Sequence, residues 1–466
     1  MKYLLHGCRV VTMNARRDIL DADILVDGDR IAALGPDIAV LPEARDAERV
    51  DMTGRVLLPG LIQAHMHVTQ ILFRGLCDDL ELMDWLEKRT WPLEGAHSAA
   101  SNAVSARLAA LELIRSGTTS LVDMGTIRHE DAIFEVMEAV GLRGLFGKCM
   151  MDEGAGVPAS MRESAEDSLR ETERLIRKWH MRGGGRLRCA GAPRFIPSCS
   201  DALLTSARDL ARANGLRLHT HASENMGEIA LVEGSRRMRN ILYLHKLGYT
   251  GEDVLLAHCV WLDGEEKRVL ADTGTHVVHC PSSNTKMSSG FAPVAELRDM
   301  GVNVALGLDG AHNHMDSFLE MRQASVLQKA LLNNPLALPA PEALEIATLG
   351  GARAMGQEAE IGSLEVGKKA DLIALNLEMP HTLPAVGRDV VGRIVYEATR
   401  ENVTDSMVDG RFLYRAGKFL TLDAGAVLRD AERECLGCIC RAGLEFGTRP
   451  ENAVQRPILP SRQVTS

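Results

Sequence analysis

The chain has 466 residues, of which 45% are hydrophobic and 25% charged, and its formal net charge is −10. This length and hydrophobic content predict a folded protein with a large core, made of one big domain and a smaller companion. The negative charge argues against a nucleic-acid partner and against an acidic membrane surface, because phosphates and anionic lipids attract basic proteins. We expect a small molecule as the partner.

The cysteines and the N-terminus indicate the compartment. Four of the ten cysteines lie in strand-like apolar runs, as buried reduced thiols do: Cys149, Cys189, Cys259 and Cys280. Cys435, Cys438 and Cys440 supply three sulfurs without a nearby histidine, which favours a structural or inert role over a zinc site. Residues 1–8 are too polar for a signal sequence, and no apolar stretch reaches the ~18 residues of a membrane span. We therefore expect a soluble, cytoplasmic protein.

Short strand-like segments separated by turns occur at both ends of the chain. They are residues 9–13, 22–26, 30–35, 370–375, 392–396 and 405–411. Neither set is large enough to form a core of its own, so residues 1–58 and 370–422 are predicted to form one small β-sandwich together. Residues 423–466 are predicted to form a helical stretch followed by a polar tail.

Between these ends, apolar runs alternate with helix-like stretches, a pattern typical of βα units and a parallel sheet. The strand candidates are residues 61–67, 117–124, 142–150, 186–193, 216–222, 253–259, 275–280 and 302–309. Eight strands close a barrel, so residues 59–369 are predicted to form a (β/α)8 barrel of the TIM type inserted into the sandwich. Residues 69–94, rich in Leu, Met and Trp, are predicted to form a flap over the site.

Candidate metal ligands follow several of the predicted strands. His65 and His67 lie two residues apart on one strand, so their side chains point the same way and can bind one ion. His221, His258 and Asp309 end other predicted strands, and the strand ends of a barrel meet where barrel enzymes keep their active sites. We predict that His65, His67, His221 and Asp309 hold one divalent metal ion, Zn²⁺ with Fe²⁺ as the alternative. Such an ion activates water, which predicts a hydrolase.

Other residues near these ligands are candidates for proton transfer. Glu224 follows His221 by three residues, so its carboxyl group could protonate a ring nitrogen and pass a proton to the leaving group. His258 could bond the attacking hydroxide, polarise the substrate or act as a ligand, and we favour a catalytic role beside the metal. His219 points the same way as His221 but one layer deeper, which predicts a hydrogen-bonded core histidine. His279 ends the seventh predicted strand and is a candidate for substrate contact or for core packing.

Five motifs occur in an order that resembles the amidohydrolase superfamily, in its branch of deaminases and chlorohydrolases of N-heterocycles. They are P-G-L-I-Q-A-H-M-H, H-T-H-A-S-E, L-L-A-H-C-V, H-C-P-S-S-N and L-G-L-D-G. The resemblance extends to residues 361–375 and implies a hydrolase of C–N bonds in cyclic amidines, by analogy a homo-oligomer. It also implies that Asp309 takes a proton from the water and that Glu224 and His258 are acid–base groups. Arg194 follows the fourth predicted strand, where a bridging lysine would otherwise lie, in agreement with a single metal.

The motifs that would contact the substrate point to two kinds of purine. Residues 74–94 are similar to deaminases of S-adenosylhomocysteine, methylthioadenosine and 5′-deoxyadenosine, in which Glu94 would bind ribose hydroxyls. Residues 193–200 resemble guanine deaminases, in which the arginine matching Arg194 touches the base, and Gln70 occurs in guanine deaminases and atrazine-type chlorohydrolases. We therefore expect an aminopurine deaminase that releases ammonia, with hydrolysis of s-triazines or deamination of a pterin as alternatives.

Overall fold

The computed structural model describes residues 1–154, 156–310 and 314–445. Its strands are β1 Lys2–Val11, β2 Ile19–Asp27, β3 Arg30–Gly35, β4 Glu48–Asp51, β5 Arg55–Pro59, β6 Leu61–Met66, β7 Thr118–Met124, β8 Arg143–Gly147, β9 Cys149–Met150, β10 Leu187–Pro193, β11 Arg217–Ala222, β12 Val254–His258, β13 His276–His279, β14 Val304–Leu306, β15 Leu372–Asn376, β16 Val403–Val408, β17 Arg411–Arg415 and β18 Lys418–Phe419.

The α-helices are α1 Leu82–Trp85, α2 Trp91–Glu94, α3 Ala99–Arg115, α4 Glu130–Val140, α5 Ala165–Trp179, α6 Arg182–Gly185, α7 Asp201–Ala213, α8 Met226–Arg236, α9 Asn240–Lys246, α10 Gly264–Thr273, α11 Pro281–Lys286, α12 Val294–Asp299, α13 Ser317–Leu332, α14 Ala340–Glu345, α15 Gly351–Ala354, α16 Val390–Tyr396 and α17 Ala424–Ala442. Of those described, none is long and apolar enough to cross a membrane.

Eight parallel strands form a nearly closed barrel, as predicted. They pair in the order β6, β7, β8, β10, β11, β12, β13 and β14, and the short β9 continues the pairing along β10. A bridge between Met66 in β6 and Asp309 just beyond β14 brings the first and last strands together. Because every strand of the barrel runs in the same direction, all carboxyl ends open at one mouth.

The two chain ends build a separate mixed sheet, which confirms the predicted composite sandwich. Its strands run in the order β3, β2, β1, β5, β15, β16, β17 and β18, with β4 pairing beside β5 along β1. The ring centroids of Tyr3 in β1 and Phe412 in β17 lie 5.2 Å apart. These two strands are four positions apart, a separation of ~19 Å in a flat sheet. The sheet therefore folds over itself and encloses an apolar core.

One predicted strand is wrong, because residues 392–396 belong to helix α16. The Asp389 carboxylate accepts a hydrogen bond from the Gly392 N–H at 2.9 Å and caps the first turn. Val391, Ile394 and Val395 are buried, a spacing that fits one face of a helix. The β-branched residues suggested a strand, but packing against neighbouring helices outweighs this weak propensity.

The C-terminal helix α17 packs against α3, and all ten cysteines, which lie within the described residues, are free thiols. Cys438 is buried in this contact, Cys440 is exposed, and Cys435 is partly buried. The polar tail predicted after this helix lies in residues 446–466, outside the described residues.

A buried ion network joins the barrel to the sandwich. Arg143 at the start of β8 donates two hydrogen bonds to Asp371, at 2.7 and 3.1 Å, and a further one to Asp409. The side chains of Arg143 and Asp371 are each 2% exposed. Asp409 also has Lys369 and Arg186 within 4 Å, but the buried Asp371 depends on Arg143, so removing the guanidinium leaves the charge of Asp371 uncompensated.

We predict that Arg143→Met lowers the free energy of unfolding by about 3–5 kcal/mol. The matched control is Arg170→Met, which removes an arginine whose side chain is 65% exposed and should cost at most about 1 kcal/mol. Urea denaturation of both variants measures the difference. Equal losses in the two variants would contradict the role of the network.

Candidate metal and active site

The five predicted metal and catalytic residues at the strand ends meet at the barrel mouth. His65 ends β6 with His67 just beyond it, His221 lies in β11, His258 ends β12, and Asp309 follows β14. The Nε2 atom of His67 lies 3.1 Å from that of His221, and the Nε2 atom of His65 lies 3.3 Å from Asp309 Oδ1. One ligand atom from each of His65, His221, His258 and Asp309 falls within 4.8 Å of the other three.

Hydrogen bonds on the outer side of two rings determine where their protons lie. His67 Nδ1 is 2.7 Å from the carbonyl oxygen of Met124, and His221 Nδ1 is 2.7 Å from that of Arg194. A carbonyl oxygen only accepts, so each Nδ1 carries the proton and each Nε2 presents a lone pair. Two lone pairs facing each other at 3.1 Å repel, unless a cation lies between them.

The protonation of the ligands also fits a metal ion. Burial lowers the pKa of His65, His67 and His221, so these rings are neutral at pH 7. The buried His65 Nε2 has no hydrogen-bond partner among the described residues. Neutral imidazoles with one carboxylate are typical ligands of a catalytic divalent ion. The residues present therefore fit a single metal ion.

Helix α11, which follows β13, supports the opposite side of the site. Asn284 Oδ1 lies 2.9 Å from His258 Nδ1, and the Ser283 hydroxyl donates a hydrogen bond to Asp309. Both residues belong to the H-C-P-S-S-N motif, in which the sequence predicted a role for His279 but none for Ser283 or Asn284. His258 and Asp309 adopt φ angles of +75° and +62°, a left-handed conformation that costs about 1–3 kcal/mol each outside glycine. The strain lies at the two residues that point into the site.

Glu224 lies beside His258 at the barrel mouth. Its carboxyl oxygen lies 3.5 Å from His258 Nε2, and its backbone N–H donates to the Glu228 carboxylate at 2.8 Å. Burial raises the pKa of the Glu224 carboxyl well above its ordinary value, and the nearby charge of Asp309 raises it further. This shift favours the protonated form of the carboxyl group, which is the form that can donate a proton.

A narrow cavity lies against these residues. Its lining residues are His67, Leu82, Trp85, Leu86, Arg194, Phe195, His221, Glu224, His258 and Asp309. Leu82, Trp85 and Leu86 belong to the segment predicted to form a flap, and all three are buried. The flap thus supplies an apolar wall opposite the polar residues of the barrel mouth.

Three predicted substrate contacts, Gln70, Glu94 and Arg194, form one buried group. Arg194 Nη1 lies 2.8 Å from one carboxylate oxygen of Glu94, and Gln70 Nε2 donates to the other at 2.9 Å. All three side chains are buried. Arg194 thus links His221 with Glu94. Its carbonyl oxygen accepts a hydrogen bond from His221, and its guanidinium neutralises the Glu94 carboxylate.

The remaining histidines occupy different positions. His219 is buried and its Nε2 lies 2.9 Å from His65 Nδ1, so it is a hydrogen-bonded core residue as predicted. His279 is buried at the end of β13, but it is not among the described residues that line the cavity. Within the described chain, neither of its ring nitrogens has a hydrogen-bond partner. His314, in the segment after Asp309, is exposed, and His312 lies outside the described residues.

The chain is similar to known proteins over nearly its whole length. It is 39% identical to a 5′-deoxyadenosine deaminase of Methanothermobacter thermautotrophicus, over 89% of this chain and 96% of the relative. It is 37% identical to a 5-methylthioadenosine/S-adenosylhomocysteine deaminase of Moorella thermoacetica, over 91% and 96%. A solved adenosine deaminase from Xanthomonas campestris with bound zinc superposes with a TM-score of 0.87, at 31% identity, and the match covers 94% of this chain and 98% of that one. The model of the amidohydrolase family matches residues 56–413, and the chain belongs to this family.

Proposed function

We propose that this chain is a metal-dependent aminohydrolase that replaces an exocyclic amino group of a purine with oxygen and releases ammonia. The observation that carries the proposal is the convergence of three neutral imidazoles and one carboxylate beside the buried carboxyl group of Glu224. The deaminase names of relatives at 37–39% identity support the same chemistry.

His65, His67, His221 and Asp309 are the proposed ligands of the metal ion. The zinc in the similar adenosine deaminase favours Zn²⁺ over Fe²⁺. A divalent ion at such a site supplies Lewis acidity, which lowers the pKa of a coordinated water towards about 7.

The side chains around the ligands move the protons. Asp309 accepts a proton as the water oxygen attacks the carbon that carries the amino group, and Glu224 gives its proton to the neighbouring ring nitrogen. His258, whose Nδ1 donates to Asn284 Oδ1, presents the lone pair of Nε2 to the attacking water and orients it towards that carbon. The C–N bond then breaks, and the amino group leaves as ammonia with the proton held by Asp309. The oxygen stays on the ring as a carbonyl, and its remaining proton returns to Glu224.

A nucleoside with a 6-aminopurine base is the first candidate substrate, because the relatives named above act on adenosine derivatives. Guanine is the second candidate. The carboxylate of Glu94 is already bonded to Arg194 and Gln70, so ribose hydroxyls would share it with these two partners through its remaining lone pairs. A free base makes no such demand and could stack on Phe195, which lines the cavity.

The free thiols support a reducing compartment. All ten cysteines lie in described parts of the chain and none forms a disulfide, and structural disulfides persist mainly in oxidising compartments. We therefore place the protein in the cytoplasm, acting on a small heterocycle and water.

The substrate prediction is that purified protein loaded with zinc releases ammonia from 5′-deoxyadenosine or methylthioadenosine. A coupled assay for ammonia measures this, with guanine, a pterin and an s-triazine in parallel. Activity on guanine alone would select the second candidate, and chloride release from a chlorotriazine would select the triazine alternative. Silence across the whole panel would contradict a deaminase.

The metal prediction concerns Asp309→Asn, which keeps the shape of the side chain but removes its charge. Loss of a residue that only holds a ligand in place costs about 10–100-fold in metal affinity. We expect a larger fall in Asp309→Asn, because Asp309 is itself a proposed ligand. Elemental analysis after dialysis measures the bound metal. Asp299→Asn is the control, because Asp299 is exposed at the end of α12. Full metal content in Asp309→Asn would show that the ligand set is wrong.

The third prediction separates proton transfer from metal binding. Glu224→Gln should lower kcat by about 10²–10⁴-fold, because the amide cannot give a proton to the ring. Bound metal should stay at the level of the unmodified protein. Glu233→Gln, at an exposed position of α8, should leave kcat unchanged. A Glu224→Gln variant with normal kcat would exclude Glu224 as the acid.

A further inference from the structure

His219 lies directly behind the proposed metal ligand His65. It sits in β11 two residues before His221, so both side chains point into the barrel and His219 lies one layer deeper. Its Nε2 is 2.9 Å from His65 Nδ1, and the two ring centroids are 4.9 Å apart at an interplanar angle of 81°. Both side chains are fully buried.

Only one proton arrangement across this contact leaves His65 able to bind a cation. With the proton on His65 Nδ1, that ring donates to His219 Nε2 and His65 Nε2 presents a lone pair towards the site. With the proton on His219 Nε2, the neutral His65 carries its own proton on Nε2, and this lone pair is lost. The acceptor behind His65 therefore decides whether His65 can be a ligand.

His219 differs from the partners of the other two imidazole ligands. His67 and His221 donate to backbone carbonyl oxygens, which no substitution removes. His65 donates to a side chain, so its outer partner can be changed without altering the ligand itself.

Packing alone does not account for an imidazole at this position. The Nδ1 atom of His219 has no hydrogen-bond partner among the described residues, and an unpaired buried donor costs about 1–3 kcal/mol. The buried residues inside this part of the barrel include Ala64, Val122 and Leu255, so an apolar side chain would avoid that cost. The imidazole is therefore explained by its bond to His65.

We propose that His219 is a positioning residue that acts through His65, by fixing its proton on Nδ1 and its ring towards the metal ion. The proposal rests on the metal site of the proposed function. The proposal has a specific consequence. Loss of the hydrogen-bond acceptor should weaken metal binding without a matching loss of folding stability.

The test compares three variants of the full-length protein. His219→Leu removes the hydrogen-bond acceptor. His219→Gln places an amide oxygen close to the position of Nε2. The side chain of His219→Asn is shorter, so its amide oxygen does not reach His65. We expect zinc affinity, measured by competition with a chelator, to fall about 10–100-fold in the Leu and Asn variants. The Gln variant should bind zinc nearly as tightly as the unmodified protein.

Urea denaturation of the metal-free proteins separates metal binding from folding, and His276→Leu is the control. His276 is buried in β13 and bonds the Glu252 carbonyl oxygen at 3.0 Å, so it is a core histidine outside the site. We expect His276→Leu to keep its zinc affinity. If His219→Leu does not fold, the zinc affinities of His219→Gln and His219→Asn are compared, and their difference tests the proposal.

Two results would overturn the proposal. One is zinc affinity in His219→Leu or His219→Asn equal to that of the unmodified protein, which would remove this role of His219 and leave the proposed function standing. The other is a Gln variant as weak as the Asn variant, which would show that the acceptor is irrelevant. If the unmodified protein binds no zinc at all, the proposed metal site fails together with this inference.

Discussion

The site depends on an electrostatic conflict that a cation resolves. Carbonyl oxygens hold the protons of His67 and His221 on Nδ1, so two Nε2 lone pairs face each other at 3.1 Å. The Asp309 carboxylate adds a negative charge 3.3 Å from His65 Nε2. Without a positive ion these groups repel in a buried, weakly screened space. The apolar packing of the other side chains of the barrel strands offsets the free energy that this repulsion costs.

Arg194 contacts both the proposed metal site and the wall of the cavity. Arg194 holds His221 through its carbonyl oxygen and Glu94 through its guanidinium, so one residue connects the metal ligands with the wall of the cavity. A shift of the loop after β10 would therefore alter both at once. This connection is a physical reason for the proposed metal site and the cavity wall to respond together to changes in that loop.

Much of the architecture follows from local patterns. Alternating apolar runs predicted eight parallel strands, and the two-residue spacing of His65 and His67 predicted that both face the barrel interior. The strand prediction for residues 392–396 was wrong, because Val391, Ile394 and Val395 are buried against other helices. A short run of β-branched residues does not reveal which neighbours it will meet.

The sequence by itself determined the fold class, the family resemblance and the set of residues that could bind a metal, because these depend on periodicity and on residue types at strand ends. Only the tertiary structure decided which atoms meet. It paired Glu94 with Arg194 and Gln70, placed Ser283 beside Asp309 and Asn284 beside His258, and put His219 against His65. Those contacts join strands and loops far apart in the chain, and their distances arise from the closure of the barrel, which no local pattern encodes.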